Sequence, residues 1–390
     1  GCDRDTDKAQ RPVPCSRNAV TCSRVHACTG RSEEPVRNGL PMVELRAFLD
    51  RCVCLFVVAP LVVAYWRGLW NLLDDLVLPD QPALSGWATA CAGWSVAFAL
   101  TALQEPFALL ARRYPKSVKV VFRLHQFIYG AASISAWRGT WLLEDVYTGK
   151  SPWSALGALL VGIGALLLCR GLRNAAQAPP LMLVIDEAPD CFKAETRFRR
   201  KPEDGVGTYL MDCCFSTVVI GSLVVTLWRG LWTLLDRLQI PDSPLTSATT
   251  SLSSGFVTTV GLFLAEGSVR QIHAHAHKTG NTQFWGLLLE GMWNLCATYS
   301  VVAVWRALWM LADQVVCGSV LWDLVITLAS GWVLSLLCCS TSVPNWGTVV
   351  DGVAPTSEFP PLSLDISYFT AMAEVCLSFD HRSQTNEDRS

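Results

Sequence analysis

The stretch Trp66-Arg67-Gly68-Leu69-Trp70-Asn71-Leu72-Leu73-Asp74 closes a long apolar segment, and variants of it return three times along the chain. Arginine is costly near hydrocarbon and tryptophan prefers the bilayer boundary, so each copy marks a similar depth in a membrane. We call these copies the WRGxW motifs. Their shared positions are Trp66, Arg67, Trp70 and Asp74; Trp137, Arg138, Trp141 and Asp145; Trp228, Arg229, Trp232 and Asp236; and Trp305, Arg306, Trp309 and Asp313.

The composition also indicates a membrane protein. Of 390 residues, 51% are hydrophobic and only 16% are charged, whereas soluble domains carry about 25% charged residues. The formal net charge of -2 excludes a globally basic nucleic-acid-binding protein. Membrane lipid is therefore the first partner that the sequence predicts.

Eight segments are apolar enough to span a bilayer core, which requires about 20 residues each. We predict an all-α integral membrane protein with eight transmembrane helices, arranged as two tandem four-helix halves that are built from four WRGxW…D hairpins. The predicted spans are 51–71, 84–109, 120–142, 153–171, 211–234, 247–268, 284–312 and 319–339.

The tandem arrangement rests on a constant offset. Trp66 and Trp228 are 162 positions apart, and Asp50 and Asp212, which precede the same two apolar segments, share that offset. Such self-similarity is typical of a duplicated unit. The predicted regions are an N-terminal segment (1–41, expected to be disordered), a first four-span half (42–171), a basic loop (172–210), a second four-span half (211–340) and a C-terminal tail (341–390).

The charges predict the orientation. The connections after even-numbered spans are rich in arginine and lysine, whereas those that follow the motifs carry mainly aspartate. The positive-inside rule then places both termini and the basic loops in the cytosol, and all four motifs at the outer ends of their helices. A short apolar stretch at 362–379 of the tail is expected to dock on a partner or on the bundle.

On a helix, the two Trp, the Arg and the Asp of a motif fall within about 100° of one another, and Gly lies on the opposite face. Small residues let helices approach closely in lipid, so we expect the Gly face to pack against a neighbouring span. For the Arg and Asp two interpretations stay open. They form a network of ion pairs, within one helix or between repeats, or the Arg only anchors helix ends among lipid headgroups.

Three further acidic residues are candidate intramembrane polar sites: Glu105, Glu266 and Glu290. They could serve a proton or ion relay. The alternative is that they lie close enough to a boundary for their carboxylates to reach water.

Catalytic signatures are missing from the sequence, which has no Gly-rich phosphate loop, no His-Glu-x-x-His and no Gly-x-Ser-x-Gly. We therefore predict that the protein is not an enzyme and has no cofactor, catalytic residue or metal site.

Eight spans, cytosolic termini and Trp-Arg-Gly-x-Trp…Asp at the ends of odd-numbered spans resemble the Fuseless family of invertebrate multi-pass proteins, over about residues 42–340. The resemblance implies a protein of the plasma membrane at the presynaptic terminal. It also implies a role in localising voltage-gated calcium channels and in organising active zones for neurotransmission, with those channels or active-zone proteins as partners.

Two functions follow as hypotheses. The first is a presynaptic organiser that exposes its cytosolic loop and tail to partners. The second is a secondary transporter of an ion or small solute, with a path between the two halves that the repeated Arg and Asp would line. The helix arrangement distinguishes them, because the organiser predicts sealed Arg–Asp pairs and the transporter predicts a water-filled path.

Overall fold

A computed structural model describes residues 40–114, 118–186, 192–278, 282–316, 318–344, 347–351, 368–369 and 372. Over these residues the regular structure is helical, with no strand, which confirms the predicted all-α class. Five helical stretches are long and apolar enough to cross a membrane: Leu45–Leu76, Pro82–Ala102, Val206–Leu238, Pro244–Ile272 and Leu288–Val315.

The α-helices are numbered in chain order. They are α1 (Leu40–Val53), α2 (Ala59–Leu76), α3 (Pro82–Ala102), α4 (Gln104–Arg113), α5 (Val118–Thr148), α6 (Pro152–Leu168), α7 (Val206–Cys214), α8 (Gly221–Leu238), α9 (Pro244–Lys278), α10 (Thr282–Val315) and α11 (Val320–Leu336).

Three predicted spans fall on helices outside the set of five. The apolar helices α6 and α11 have 17 residues each, about 25 Å of helix against a hydrocarbon core of about 30 Å. Helix α5 has 31 residues, but its polar His125, Gln126 and Arg138 lower its hydropathy.

The second predicted span, 84–109, is interrupted in the structure. Helix α3 ends at Ala102, and α4 begins at Gln104 after a break at Leu103. Pro106 lies just after this break. Proline has no N–H to donate to a preceding carbonyl, so an uninterrupted helix through this point would lose a hydrogen bond. Glu105 therefore lies in the first turn of a separate short helix.

The four helices that carry the motifs, α2, α5, α8 and α10, form a closed ring in which each contacts the next and α10 returns to α2. Four outer helices each pack on the next motif helix in the ring: α3 on α5, α6 on α8, α9 on α10 and α11 on α2. The last helix therefore covers the first motif helix and closes the circle.

Glycines of the motifs make these outer contacts close, as the helical wheel predicts. A Cβ added at Gly139 would lie 2.6 Å from Ala90 Cα on α3, and one at Gly230 would lie 2.5 Å from Leu159 N on α6. Because both distances are far below van der Waals contact, neither position has room for a side chain. In the fourth motif, Ala307 takes the place of glycine and is completely buried.

One end of the ring is closed by peptide segments from two distant parts of the chain. Residues 174–180, which follow α6, and residues 342–344, which follow α11, lie beneath the first tryptophans of the motifs. We call these two segments the plug. The ends of the bundle are named after it: the plug end, and the aspartate end where the motifs finish.

Two motif helices contain a π-helical turn, at Cys54–Val58 before α2 and at Phe215–Ile220 before α8. The turns occupy matching places in repeats one and three. One turn earlier, the buried Asp50 and Asp212 accept backbone hydrogen bonds, from Phe369 N at 2.8 Å and from Phe198 N at 3.0 Å. The contact with Phe369 places part of the 362–379 stretch on the bundle.

Candidate functional site

The Arg and Asp of the motifs pair between repeats, and the four pairs form a closed ring. In every case the guanidinium Nε donates to the Asp of the preceding repeat, and the first repeat uses the Asp of the last. The pairs are Arg67–Asp313 at 2.6 Å, Arg138–Asp74 at 2.7 Å, Arg229–Asp145 at 2.8 Å and Arg306–Asp236 at 2.7 Å.

The remaining guanidinium N–H groups are bound by the outer helix that covers each motif helix. These partners lie near the beginning of the outer helix. Each guanidinium therefore links its own motif helix, the motif helix that supplies its aspartate, and the outer helix. The main contacts are Arg67 to Asp323 at 3.1 Å, Arg138 to Ser85 at 3.0 Å, and Arg306 to Ser251 at 2.6 Å and Ser247 at 2.8 Å. Arg229 contacts Ser154 of α6 at 3.4 Å and, in the loop before α6, Gly149 O at 2.6 Å.

Burial differs sharply between the two members of a pair. The four arginine side chains are at most 4% exposed, whereas Asp74, Asp236 and Asp313 are each about half exposed. The third pair is the exception, because Asp145 is only 10% exposed and also contacts Lys150 Nζ at 3.4 Å. A buried cation is tolerated only when its donors are satisfied, which these contacts achieve.

The eight motif tryptophans form two stacked tetrads around the axis of the ring. Within each tetrad every indole meets the next edge-to-face, the arrangement that the ring quadrupole favours. The inner tetrad is Trp66, Trp137, Trp228 and Trp305, with neighbouring centroids 5.2–5.5 Å apart, and the outer tetrad is Trp70, Trp141, Trp232 and Trp309, with centroids 5.8–6.0 Å apart.

The tetrads enclose a cavity of about 200 Å³ whose lining consists of the eight tryptophans. The motif arginines and aspartates lie between helices and not in this lining. At the plug end, three indole N–H groups of the inner tetrad donate to plug carbonyls: Trp66 to Val343 at 2.9 Å, Trp228 to Ala175 at 2.8 Å and Trp305 to Pro179 at 2.7 Å.

A comparison with protein families matches residues 45–343 to Fuseless. The matched region contains all four motifs, the outer helices and the plug residue Val343. The chain belongs to the Fuseless family. Searches of curated proteins and of solved structures gave no match.

The three acidic candidates outside the motifs lie on three different helices of this Fuseless protein, α4, α9 and α10. Glu105 is half-buried at the start of α4. Glu266 on α9 is mostly buried and pairs with Arg270, one turn along the same helix, at 2.6 Å. Glu290 is buried on α10. Among the described residues there is also no group of three or more metal-binding side chains.

Several hydroxyl residues that bind the motif arginines were not predicted from the sequence. Ser85 and Thr89 of α3 bind Arg138, and Ser247 and Ser251 of α9 bind Arg306. These two hydroxyl pairs are separated by 162 positions, the offset that relates the first and third motifs. That signal was available, but hydroxyls on a helix carry little information until their partner is known.

Asp351 fastens the chain after the plug. Its carboxylate accepts Leu172 N at 2.7 Å and Arg173 N at 3.0 Å, which ties the residues after α11 to those after α6. Burial raises the pKa of the Asp351 carboxyl, and the two backbone N–H groups oppose that shift. The plug is therefore held by a specific polar contact as well as by packing.

Proposed function

We propose that this Fuseless protein is an organiser in the presynaptic plasma membrane that supports calcium-channel localisation and active-zone function. In this proposal it has eight spans in two tandem four-helix halves, with both termini in the cytosol. The family supplies the synaptic setting. The observation that carries the proposal is the closed ring of Arg–Asp pairs between successive motif helices.

The ring argues against the transporter hypothesis. Alternating access needs one half of such a protein to move against the other. Both interfaces between the proposed halves carry an ion pair with a buried arginine, Arg229–Asp145 at α5–α8 and Arg67–Asp313 at α10–α2. The tetrads bridge the same interfaces, and the plug lies across the axis. These contacts support a rigid body.

The plug end offers a surface for partners. Phe198 is 56% exposed, and the adjacent Arg199, Arg200 and Lys201 are also exposed. Buried Asp212 holds this turn by accepting Phe198 N and Arg200 N at 3.0 and 2.9 Å. A fixed aromatic residue beside three cations suits an acidic protein surface.

The first experiment tests this surface in neurons. The gene is removed, calcium-channel clusters at active zones are imaged, and tagged variants are returned. We expect wild type to restore the clusters and the triple variant Arg199→Gln/Arg200→Gln/Lys201→Gln to reach the membrane without restoring them. Arg112→Gln/Arg113→Gln is the matched control, because it removes exposed cations predicted to face the cytosol elsewhere. Normal clustering in neurons that lack the protein would refute the organiser function.

The second experiment tests the transporter alternative directly. Purified protein is reconstituted in sealed vesicles, and ion and solute fluxes are compared with those of Arg67→Gln/Arg229→Gln. The organiser predicts that neither protein raises flux above that of empty vesicles. Flux through wild type that the arginine substitutions abolish would favour a transporter.

A further inference from the structure

The cavity between the tryptophan tetrads has the shape and chemistry of a binding site. Its volume of about 200 Å³ is below the range of about 300–1,000 Å³ for drug-sized ligands, so it suits a small group. The two tetrads are four residues apart on each helix, about 6 Å. The midpoint between two squares with the sides of the tetrads therefore lies about 5 Å from each of the eight ring centroids, within the ~6 Å over which an indole attracts a cation.

Among the residues that the structure describes, the cavity is covered at the plug end and open at the aspartate end. At the plug end, three of the four inner indoles donate their N–H groups to plug carbonyls, and the plug covers this end of the cavity. At the other end the outer tetrad is only partly buried, and the half-exposed Asp74, Asp236 and Asp313 lie one turn beyond it. A ligand therefore approaches past carboxylates before it meets the indoles.

Charge at the aspartate end favours a cation. The four motif arginines and four motif aspartates cancel. Beyond them this end has five more carboxylates and only two more cations, Lys150 and Arg237, a surplus of three negative charges. Such a surplus attracts positive ligands toward the opening. The five carboxylates are Asp75, Asp80, Glu144, Asp242 and Asp323.

We propose that the tryptophan cavity binds a small organic cation with a quaternary ammonium head, such as the trimethylammonium group of choline. The head would sit between the two tetrads, and the rest of the ligand would extend toward the carboxylates. Aromatic cages recognise such heads because methyl groups spread the charge and lower the cost of leaving water. The proposal does not depend on the organiser function.

Other ligand classes fit the cavity less well. A metal cation would have to give up hydration for a lining of indoles, whereas Ca²⁺ and Mg²⁺ prefer oxygen ligands. An anion would be repelled by the surplus of negative charge at the opening. A neutral apolar ligand of the same size is stabilised by burial in the cavity, but it is not attracted by the indoles or by the negative surface potential. Such a ligand is therefore the control for the effect of the positive charge.

The experiment uses the full chain, purified in a detergent without a choline head. Tryptophan fluorescence and calorimetry are followed during titration with choline and with 3,3-dimethylbutanol, its uncharged analogue of nearly equal shape. We expect saturable choline binding that is about tenfold or more tighter than that of the alcohol, since cation–π attraction in a desolvated site is worth roughly that factor. Equal affinities, or no saturable choline binding, would overturn the proposal.

Variants locate the binding. Trp232→Leu removes one indole face from the outer tetrad and should weaken choline binding about tenfold, while Trp232→Phe should keep much of the affinity. Trp153→Leu is the matched control, because Trp153 is 80% exposed and outside the cavity lining. If Trp232→Leu does not fold, Trp309→Leu removes the neighbouring indole of the outer tetrad and should weaken choline binding to a similar degree. Equal weakening by the Trp153 and Trp232 substitutions would contradict this location.

The same head occurs free in solution and on phosphatidylcholine. The titration is therefore repeated in nanodiscs of phosphatidylglycerol and of phosphatidylcholine. Choline binding that is lost only in phosphatidylcholine identifies the lipid headgroup as the occupant. Binding that is equal in both lipids identifies a soluble cation.

Discussion

Replacement of Arg229 by methionine should destabilise the bundle more than the same change at Arg138. Methionine keeps most of the aliphatic stem and removes the charge. Arg229 is fully buried and pairs with Asp145, which is 10% exposed, and it also donates to Gly149 O at 2.6 Å. Arg138 pairs with Asp74, which is 51% exposed. Without its arginine, Asp145 therefore loses its main partner and is shielded from water, whereas Asp74 loses its partner but is solvated.

The expected magnitudes follow from what each substitution leaves unpaired. Breaking a buried ion pair costs about 3–5 kcal/mol, and we expect the lower figure for Arg229→Met because Lys150 stays 3.4 Å from Asp145. In Arg138→Met, water can solvate Asp74, and the main loss is hydrogen bonding to Ser85, at about 1–2 kcal/mol. At roughly 2–4 °C per kcal/mol for large domains, the two melting temperatures should differ by several degrees.

The assay is thermal unfolding in detergent, read as the loss of monodisperse protein by size exclusion. Double-mutant cycles isolate each pair: Arg229→Met with Asp145→Asn, and Arg138→Met with Asp74→Asn. We expect a coupling of about 2 kcal/mol for the first pair and under about 1 kcal/mol for the second. Equal melting shifts for the two arginine variants, or a larger coupling for the exposed pair, would refute the reasoning from burial.

Two further changes test the packing and the plug. Gly139→Ala should cost about 1–3 kcal/mol of stability, because the new Cβ would lie 2.6 Å from Ala90 Cα. Gly157→Ala is the control and should be neutral or slightly stabilising in the same melting assay, because its Cβ would meet nothing within 4 Å. Equal losses of stability in the two variants would contradict the close approach of helices. Asp351→Ala should speed hydrogen exchange at the amide of Leu172, since a buried N–H left without its acceptor costs about 1–3 kcal/mol. Unchanged exchange at this amide would show that packing alone holds the plug.

The helical wheel predicted which face of a motif helix carries Gly, and the close contacts of Gly139 and Gly230 confirm that expectation. A helical wheel shows which side chains share a face of one helix, however, and does not show which helix packs against that face. It left open whether Arg67 meets Asp74 on its own helix or an aspartate elsewhere, and the structure places Asp313, 246 positions away, against it. The choice depends on how the ring closes, which no local pattern in the sequence encodes.

The plug could not be predicted for a different reason. It is held largely through backbone carbonyls at Ala175, Pro179 and Val343, and any residue type supplies a carbonyl. The break between α3 and α4 is the opposite case, because Pro106 is visible in the sequence. The predicted span 84–109 is interrupted there, because apolar composition continues through the break whereas Pro106 cannot donate a backbone hydrogen bond.

The two ends of the bundle follow different symmetries, and that difference bears on function. At the aspartate end all four repeats contribute one Trp to each tetrad and one Arg and one Asp to the ring of ion pairs. At the plug end, the described residues match between repeats one and three, which share a π-helical turn and a buried aspartate, Asp50 or Asp212. Loop segments, the two parts of the plug, also lie against the inner tryptophans at this end. A fourfold cage suits a small central ligand, whereas an uneven surface built from loops suits specific protein partners.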